Sequence, residues 1–298
     1  MWATLLKSIE NGDARSLARV ISLIENEAEG YAEFLSGFKK QSTIPIIGIT
    51  GPPGAGKSTL VDALIAEIVA ANKRVAVLCI DPSSPFNLGA LLGDRIRMSE
   101  WYNNPNVFIR SLATRGSLGG LHPKIIEITE VLKQAPFDYI ITETVGVGQS
   151  EIEIVGLADT TVVVVVPEAG DEVQTMKAGL MEIADIFVVN KSDRPDADLF
   201  AKNLRQMAMP SHEHPAIPVL KTIAINKTGI AELWQAIETH SKSIDNFSHK
   251  AWLLTERAYQ LIQAKKMSGI SKQHLKDQIE SDLSAGKFNL YSFIAKVT

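Results

Sequence analysis

The chain has 298 residues, 45% of them hydrophobic, and a formal net charge of -4, enough for one large core with a smaller helical appendage at each end. The acidic balance excludes a broad non-specific nucleic-acid surface, which needs clustered Lys and Arg to displace phosphate counterions, and a single cysteine, Cys79, excludes an intramolecular disulfide. The apolar run from Thr161 to Pro167 is far short of the roughly 20 residues of a membrane helix and the N-terminus lacks a secretory pattern, so the expectation is a cytoplasmic protein with neither membrane nor nucleic-acid partner.

In chain order, Leu5, Ile9, Leu17, Val20, Ile21 and Ile24 fall mostly three and four residues apart, which predicts amphipathic helices broken near Asn11-Gly12-Asp13. From Ile44 the pattern changes to short Ile- and Val-rich runs separated by helix-length stretches: Ile46–Thr50, Val75–Ile80, Val107–Arg110, Tyr139–Glu143, Thr161–Val166, Ile186–Asn190 and Val219–Thr222. Runs apolar on both faces are what a parallel sheet covered on both sides requires. The predicted fold is α/β, a P-loop NTPase with a mostly parallel, doubly wound sheet and helical N-terminal and C-terminal extensions. The expected boundaries are 1–42 for the N-terminal helical extension, 43–243 for the nucleotide-binding domain and 244–298 for a C-terminal helical segment. Cys79 lies inside an apolar run, as a buried inert thiol does.

The first strand runs into Gly51-Pro-Pro-Gly54-Ala55-Gly56-Lys57-Ser58-Thr59 and then into a helix, the context in which the Gly-x-x-x-x-Gly-Lys-Ser pattern cradles phosphates. Glycines let backbone N–H groups turn inward, the helix N-terminus adds positive potential, and Lys57 reaches the β and γ phosphates. Ser58 is the expected Mg²⁺ ligand. Acidic residues ending two neighbouring strands, Asp81 and Glu143, are the expected carboxylates around that ion, although Asp81 before Pro-Ser-Ser also suits a turn cap. Asp94, in Gly93-Asp94-Arg95, reaches the metal or its water if its loop folds over the nucleotide; a solvated loop is the competing reading. Lys57, Asp94 and Glu143 are the candidate catalytic residues.

Asn190-Lys191-Ser192-Asp193 closes a later strand. A carboxylate there accepts two hydrogen bonds from guanine that adenine cannot offer, and unmet buried hydrogen bonds discriminate strongly. The expected ligand is therefore GTP or GDP with Mg²⁺. After Gly146, another candidate nucleotide contact, the position that often carries a water-orienting Gln holds Val147, and Gln149 lies two residues further on; slow hydrolysis dependent on another group is expected. The polar segment Pro167–Lys177 is read as a further switch or a plain connector. The basic, Gly-rich stretch from Arg110 through Arg115 to Leu121 is read as a phosphate or partner contact.

Taken together, Gly-Pro-Pro-Gly-Ala-Gly-Lys-Ser-Thr, Asp81-Pro-Ser-Ser, Gly93-Asp94-Arg95-Ile-Arg97-Met98, Ala113-Thr-Arg-Gly-Ser-Leu-Gly-Gly120, Glu143-Thr-Val-Gly-Val-Gly-Gln-Ser-Glu151 and Asn190-Lys-Ser-Asp193 resemble the MeaB/ArgK GTPases over about residues 43–245. The resemblance implies a G-protein chaperone of an adenosylcobalamin-dependent acyl-CoA mutase, methylmalonyl-CoA mutase above all, in which GTP hydrolysis gates cofactor loading and protects or rescues the mutase. It also implies that Asp81, Asp94 and Glu143 cluster around Mg²⁺, that Asp171–Lys177 is a third switch answering to the mutase, and that a homodimer forms through the C-terminal helices. Leu254, Leu261 and Ile262 are candidates for that face, with packing inside the monomer as the alternative. Family members often carry a Thr-Ser-Ala-like stretch to cradle the guanine carbonyl; here Thr222-Ile223-Ala224 stands in its place, leaving a backbone N–H at Ala224 as the candidate contact. Two other readings compete. A nickel or cobalt metallochaperone GTPase needs Cys and His clusters, against one Cys and six scattered His. An ATP-using regulator of basic amino-acid transport needs a docking site for a protein substrate, which nothing in the sequence resembles.

Overall fold

The computed structural model describes residues 1–38, 43–81, 98–115, 120–145, 151–169, 181–209, 216–243, 246–267, 269–286 and 288–297. They form two compact units, Met1–Asp245 and Asn246–Thr298.

The larger unit is built on seven strands: β1 (Ile46–Thr50), β2 (Val75–Asp81), β3 (Val107–Ala113), β4 (Tyr139–Glu143), β5 (Thr160–Val165), β6 (Ile186–Val189) and β7 (Val219–Lys221). All six pairings are parallel, in the order β3-β2-β4-β1-β5-β6-β7. Each predicted run became a strand because its side chains feed two cores in alternation. In β2, Val75, Val77 and Cys79 enter one core while Ala76, Leu78 and Ile80 enter the other. The alternation that marks a half-exposed strand is therefore missing from the sequence. Cys79 is buried and not in a disulfide.

The first core is covered by α4 (Lys57–Ala70), α6 (Ala197–Met207) and α7 (Ile230–Ser243), and the second by α1 (Trp2–Glu10), α2 (Ala14–Glu25), α3 (Tyr31–Ser36) and α5 (Ile125–Leu132). The break expected at Asn11-Gly12-Asp13 falls between α1 and α2. There the Asp13 carboxylate accepts from the N–H of Ser16 at 3.0 Å and of Arg15 at 3.4 Å, so the first turn's orphan donors are capped. The N-terminal helices thus complete one face of the sheet. Fully burying a side chain such as Ile9, Leu17 or Ile21 contributes about 1.5–3 kcal/mol.

The smaller unit comprises α8 (Asn246–Met267), α9 (Lys272–Ser284) and α10 (Leu290–Val297). Phe288 and Phe293 sit with ring centroids 5.9 Å apart. Leu254, Leu261 and Ile262, which the sequence left between two readings, are exposed, as are Trp252 and Tyr259. Among the described residues no helix is long and apolar enough to cross a membrane.

Candidate nucleotide site

The order of strands reverses around β1, which lies between β4 and β5. Ligands in open α/β sheets bind beyond the carboxyl ends of the strands at such a switch point. The loop from Gly51 to Gly56 leaves β1 there and enters α4 at Lys57. Gly51 has φ 138°, and a Cβ on it would lie 2.0 Å from the Val164 carbonyl oxygen of β5; only glycine lets the chain turn so close to that strand. The Lys57 ammonium folds back into the loop, donating to the carbonyls of Gly51 at 2.8 Å and Pro52 at 3.1 Å.

Ser58 follows on the first turn of α4, and its hydroxyl donates to Glu143 Oε1 at 2.7 Å. Register places Glu143 opposite Ile49 of β1 and Cys79 of β2, so the end of β4 is flanked by the phosphate loop's strand and by the strand that ends in Asp81. Lys57, Ser58, Asp81 and Glu143 are all buried. The buried Ser58 hydroxyl and Glu143 carboxylate, with the Asp81 carboxylate at the end of the adjoining strand, are oxygen donors of the kind a hard divalent cation takes, so these three residues fit Mg²⁺. Among the described residues no group of three or more His, Cys, Asp or Glu side chains gathers into a metal cluster. Asp94, Gly146, Val147, Gln149 and the segment Asp171–Lys177 lie outside the described residues.

Asn190 is the hub that joins the second motif to the first. Its Nδ2 donates to the Ala55 carbonyl at 2.8 Å, and its Oδ1 accepts from the Thr222 hydroxyl and the Ala224 N–H, both at 3.1 Å. Lys191, in the left-handed region at φ 56°, sends its Nζ to the Gly54 carbonyl at 2.7 Å. The contact is close enough that a Cβ on Gly56 would stand 2.5 Å from Asn190 Nδ2. Thr59 is half-buried on the first turn of α4, and Asp193 is exposed at the rim. Three loops, after β1, β6 and β7, are therefore locked into one edge through a single buried amide.

Sequence reasoning placed Asn190 and Ala224 as ligand contacts and missed their bond to each other. It also read Thr222 only as the end of the last strand and the start of the Thr222-Ile223-Ala224 stretch, whereas its hydroxyl donates to the Asn190 amide oxygen. A hydroxyl residue closing the last strand was the available signal. Arg194 was missed as well: it pairs with Glu168, at the start of the Pro167–Lys177 segment, and that hydrogen bond holds the Glu168 carboxyl below its usual range.

The described arginines of the basic Gly-rich stretch, read from the sequence as a phosphate or partner contact, bond to α2. Arg110 Nη2 donates to Glu25 Oε2 at 2.5 Å and to the Ser22 hydroxyl at 3.0 Å, and Arg115 Nη1 donates to the Glu25 carbonyl at 2.6 Å. Lys124 is 2.8 Å from Glu27 and 3.4 Å from Glu127. Arg110 thus ties edge strand β3, and Arg115 the residues just after it, to α2, while Lys124 beyond the stretch pairs with Glu27 and Glu127. His122, 1% exposed, sits among them with Nδ1 accepting from the Lys124 N–H at 3.0 Å. Burial, helped by Arg115, Lys124 and Arg110, lowers its pKa to about 4.

Comparison with known proteins agrees with this geometry. Residues 17–280 match the family described as Methylmalonyl Co-A mutase-associated GTPase MeaB. A Pyrococcus abyssi protein named as a GTPase is 44% identical over 95% of this chain and 88% of its own length. A Caenorhabditis elegans protein named Methylmalonic aciduria type A homolog, mitochondrial, is 40% identical over 66% of this chain, which spans 53% of that protein. A solved structure described as LAO/AO transport system kinase superposes with a TM-score of 0.72 over 99% of this chain and 95% of its own, at 22% identity, which speaks to the shared fold. With the phosphate loop and the Asn190 hub in place on a seven-stranded parallel sheet, the chain belongs to the MeaB family of P-loop GTPases.

Proposed function

We propose that this GTPase is a G-protein chaperone of an adenosylcobalamin-dependent acyl-CoA mutase of the methylmalonyl-CoA mutase type, gating cofactor loading and protecting or reactivating the mutase. The observation that carries this reading is the family match across residues 17–280, a family described by its association with that mutase. The name of the nematode relative supports the same link.

In this reading Asp193 accepts the ring N–H and exocyclic amino group of guanine, while Asn190 holds its loop against the phosphate loop. Lys57 exchanges the carbonyls of Gly51 and Pro52 for β- and γ-phosphate oxygens, joined by the N–H groups of Gly54, Ala55, Gly56, Ser58 and Thr59 at the α4 N-terminus. Ser58, Asp81 and Glu143, with Asp94, would hold Mg²⁺, which when bound neutralises charge shared by the β and γ phosphates. The Ser58–Glu143 hydrogen bond orients both groups before nucleotide arrives. Val147 offers no group to orient water, so the chain turns GTP over slowly until a partner supplies one.

Residues 43–243 act as the GTPase module, 1–42 as its helical extension and 244–298 as an arm whose exposed Leu254, Leu261 and Ile262 form a homodimer face. The protein works in the cytoplasm. The test is GTP turnover by the purified chain with and without a purified adenosylcobalamin-dependent mutase. Stimulation by a methylmalonyl-CoA-type mutase is expected, and an unchanged rate across several such mutases would sink the chaperone reading.

A further inference from the structure

We infer that Thr50 and Thr144 are positioning residues for the metal site: the hydrogen bond between their hydroxyls holds the Glu143 carboxylate in place from the opposite face of the sheet. The inference rests on the reading of Ser58 and Glu143 as Mg²⁺ ligands given above.

Thr50 ends β1 and precedes Gly51, and Thr144 follows Glu143 at the end of β4. Their Oγ1 atoms lie 2.9 Å apart, so one hydroxyl donates to the other. Both residues are buried, at 0% and 2% exposure. A buried hydroxyl is costly unless it finds a partner, and valine, β-branched and at home in strands, would fill either place without that cost. Two neighbouring strand ends therefore carry hydroxyls where packing alone asks for apolar groups. Thr142 supplies the contrast. It lies two residues before Thr144 on β4, is fully buried, and its Oγ1 has no partner among the described residues.

Alternation along the strands sets how the pair acts. Ile47 and Ile49 of β1 and Ile141 of β4 enter the core covered by α4, whereas Ile46 and Ile140 enter the other. Glu143 thus lies on the α4 side, where Ser58 donates to it, and Thr50 and Thr144 lie on the far side. There the Thr144 N–H donates to the Ile49 carbonyl at 3.0 Å, just past the last paired residues of β1 and β4. The hydroxyl bond adds a second tie at the same residue. Glu143 is thereby fixed to the strand that leads into the phosphate loop, one residue before its turn at Gly51. Mg²⁺ demands near-ideal octahedral geometry, and groups behind a ligand change metal affinity without touching the ion. Without the hydroxyl pair the carboxylate is free to drift from Ser58.

The experiment is isothermal titration of Mg²⁺ into the GDP-loaded chain, with GDP affinity in EDTA measured alongside. The proteins are the native chain, Thr144→Val, Thr50→Val, the double valine variant, Thr144→Ser, Thr142→Val and Glu143→Gln. Loss of one hydrogen bond is expected to weaken Mg²⁺ about fivefold in Thr144→Val and in Thr50→Val. The double variant should fall no further, because both changes remove the same bond. Thr144→Ser, which keeps the hydroxyl, and Thr142→Val, which removes an unpaired one, should stay within about twofold of native. GDP in EDTA should bind all the threonine variants equally. Native Mg²⁺ affinity in both single valine variants overturns the inference. Equal weakening in Thr142→Val, or an equal fall of GDP affinity in EDTA, overturns it too, by assigning the effect to general packing or to the phosphate loop. Glu143→Gln separates the two levels: weakened Mg²⁺ there with inert threonine variants removes the positioning role alone, whereas native Mg²⁺ affinity in Glu143→Gln removes the metal reading beneath it.

Discussion

Two segments of this chain are rich in glycine and basic residues, and the structure uses them in opposite ways. The Gly51–Ser58 loop holds one buried ammonium, Lys57, which donates to the loop's own Gly51 and Pro52 carbonyls, next to two carboxylates on neighbouring strand ends. The Arg110–Leu121 stretch sends Arg110 of β3 to the Glu25 carboxylate of α2 and Arg115, just beyond β3, to the Glu25 backbone carbonyl. An ammonium folded onto its own loop can exchange those carbonyls for an incoming anion without releasing another element, while a guanidinium bonded to a carboxylate of α2 ties that helix down. What separates the two is thus whether the cation bonds within its own loop or across to another element.

The comparison breaks most sharply at Lys57. Lys57→Ala is expected to lower GTP turnover about a thousandfold, as loss of a positioned transition-state charge does, while thermal unfolding moves less than in Glu25→Ala. Glu25→Ala should behave inversely. It strips a partly buried partner from Arg110 and Arg115, whose ion pairs with Glu25 lie at 2.5 and 3.8 Å, and should cost about 3 kcal/mol of unfolding free energy, with turnover per folded molecule unchanged. A turnover loss in Glu25→Ala matching that of Lys57→Ala would mean that the clamp belongs to the catalytic site after all.

A smaller effect sharpens the picture of the clamp. His122 titrates at about 4 in the folded chain against 6.5 for the free side chain. Between those values the unfolded chain takes up a proton that the folded chain refuses, so the stabilisation is fully present above pH 6.5 and is lost as pH falls toward 4. The loss amounts to about 3 kcal/mol. Chemical denaturation at several pH values should show this slope in the native chain and a reduced slope in His122→Gln, whose amide can still accept from the Lys124 N–H. Equal slopes in the two proteins would place the cation cluster further from His122 than the structure has it.

The same contrast explains what the sequence could reveal. All seven strands were legible because each is a short Ile- and Val-rich run bounded by turn residues, and a central parallel strand must be apolar on both faces. The phosphate loop was legible because its chemistry is local: Gly51, Gly56, Lys57 and Ser58 act within eight consecutive residues. Glu143 was legible as a carboxylate closing an apolar strand, a costly placement without a partner. The clamp was not legible, because Arg110 meets Glu25 across 85 residues of chain, and nothing near Arg110 signals that its charge is neutralised at home. Nor was the role of Thr222, whose hydroxyl reaches Asn190 across 32 residues. Read locally, that threonine only closes a strand; read in space, it fixes the amide on which three loops hang.

Because those loops converge on Asn190 beside Asp193, the account stands or falls on base choice. The most direct measurement is the affinity of the native chain and of Asp193→Asn for GTP, XTP and ATP at fixed Mg²⁺. Strong preference for GTP in the native chain and a shift toward XTP in the variant are the predicted results. Equal affinity of the native chain for GTP and ATP would contradict it.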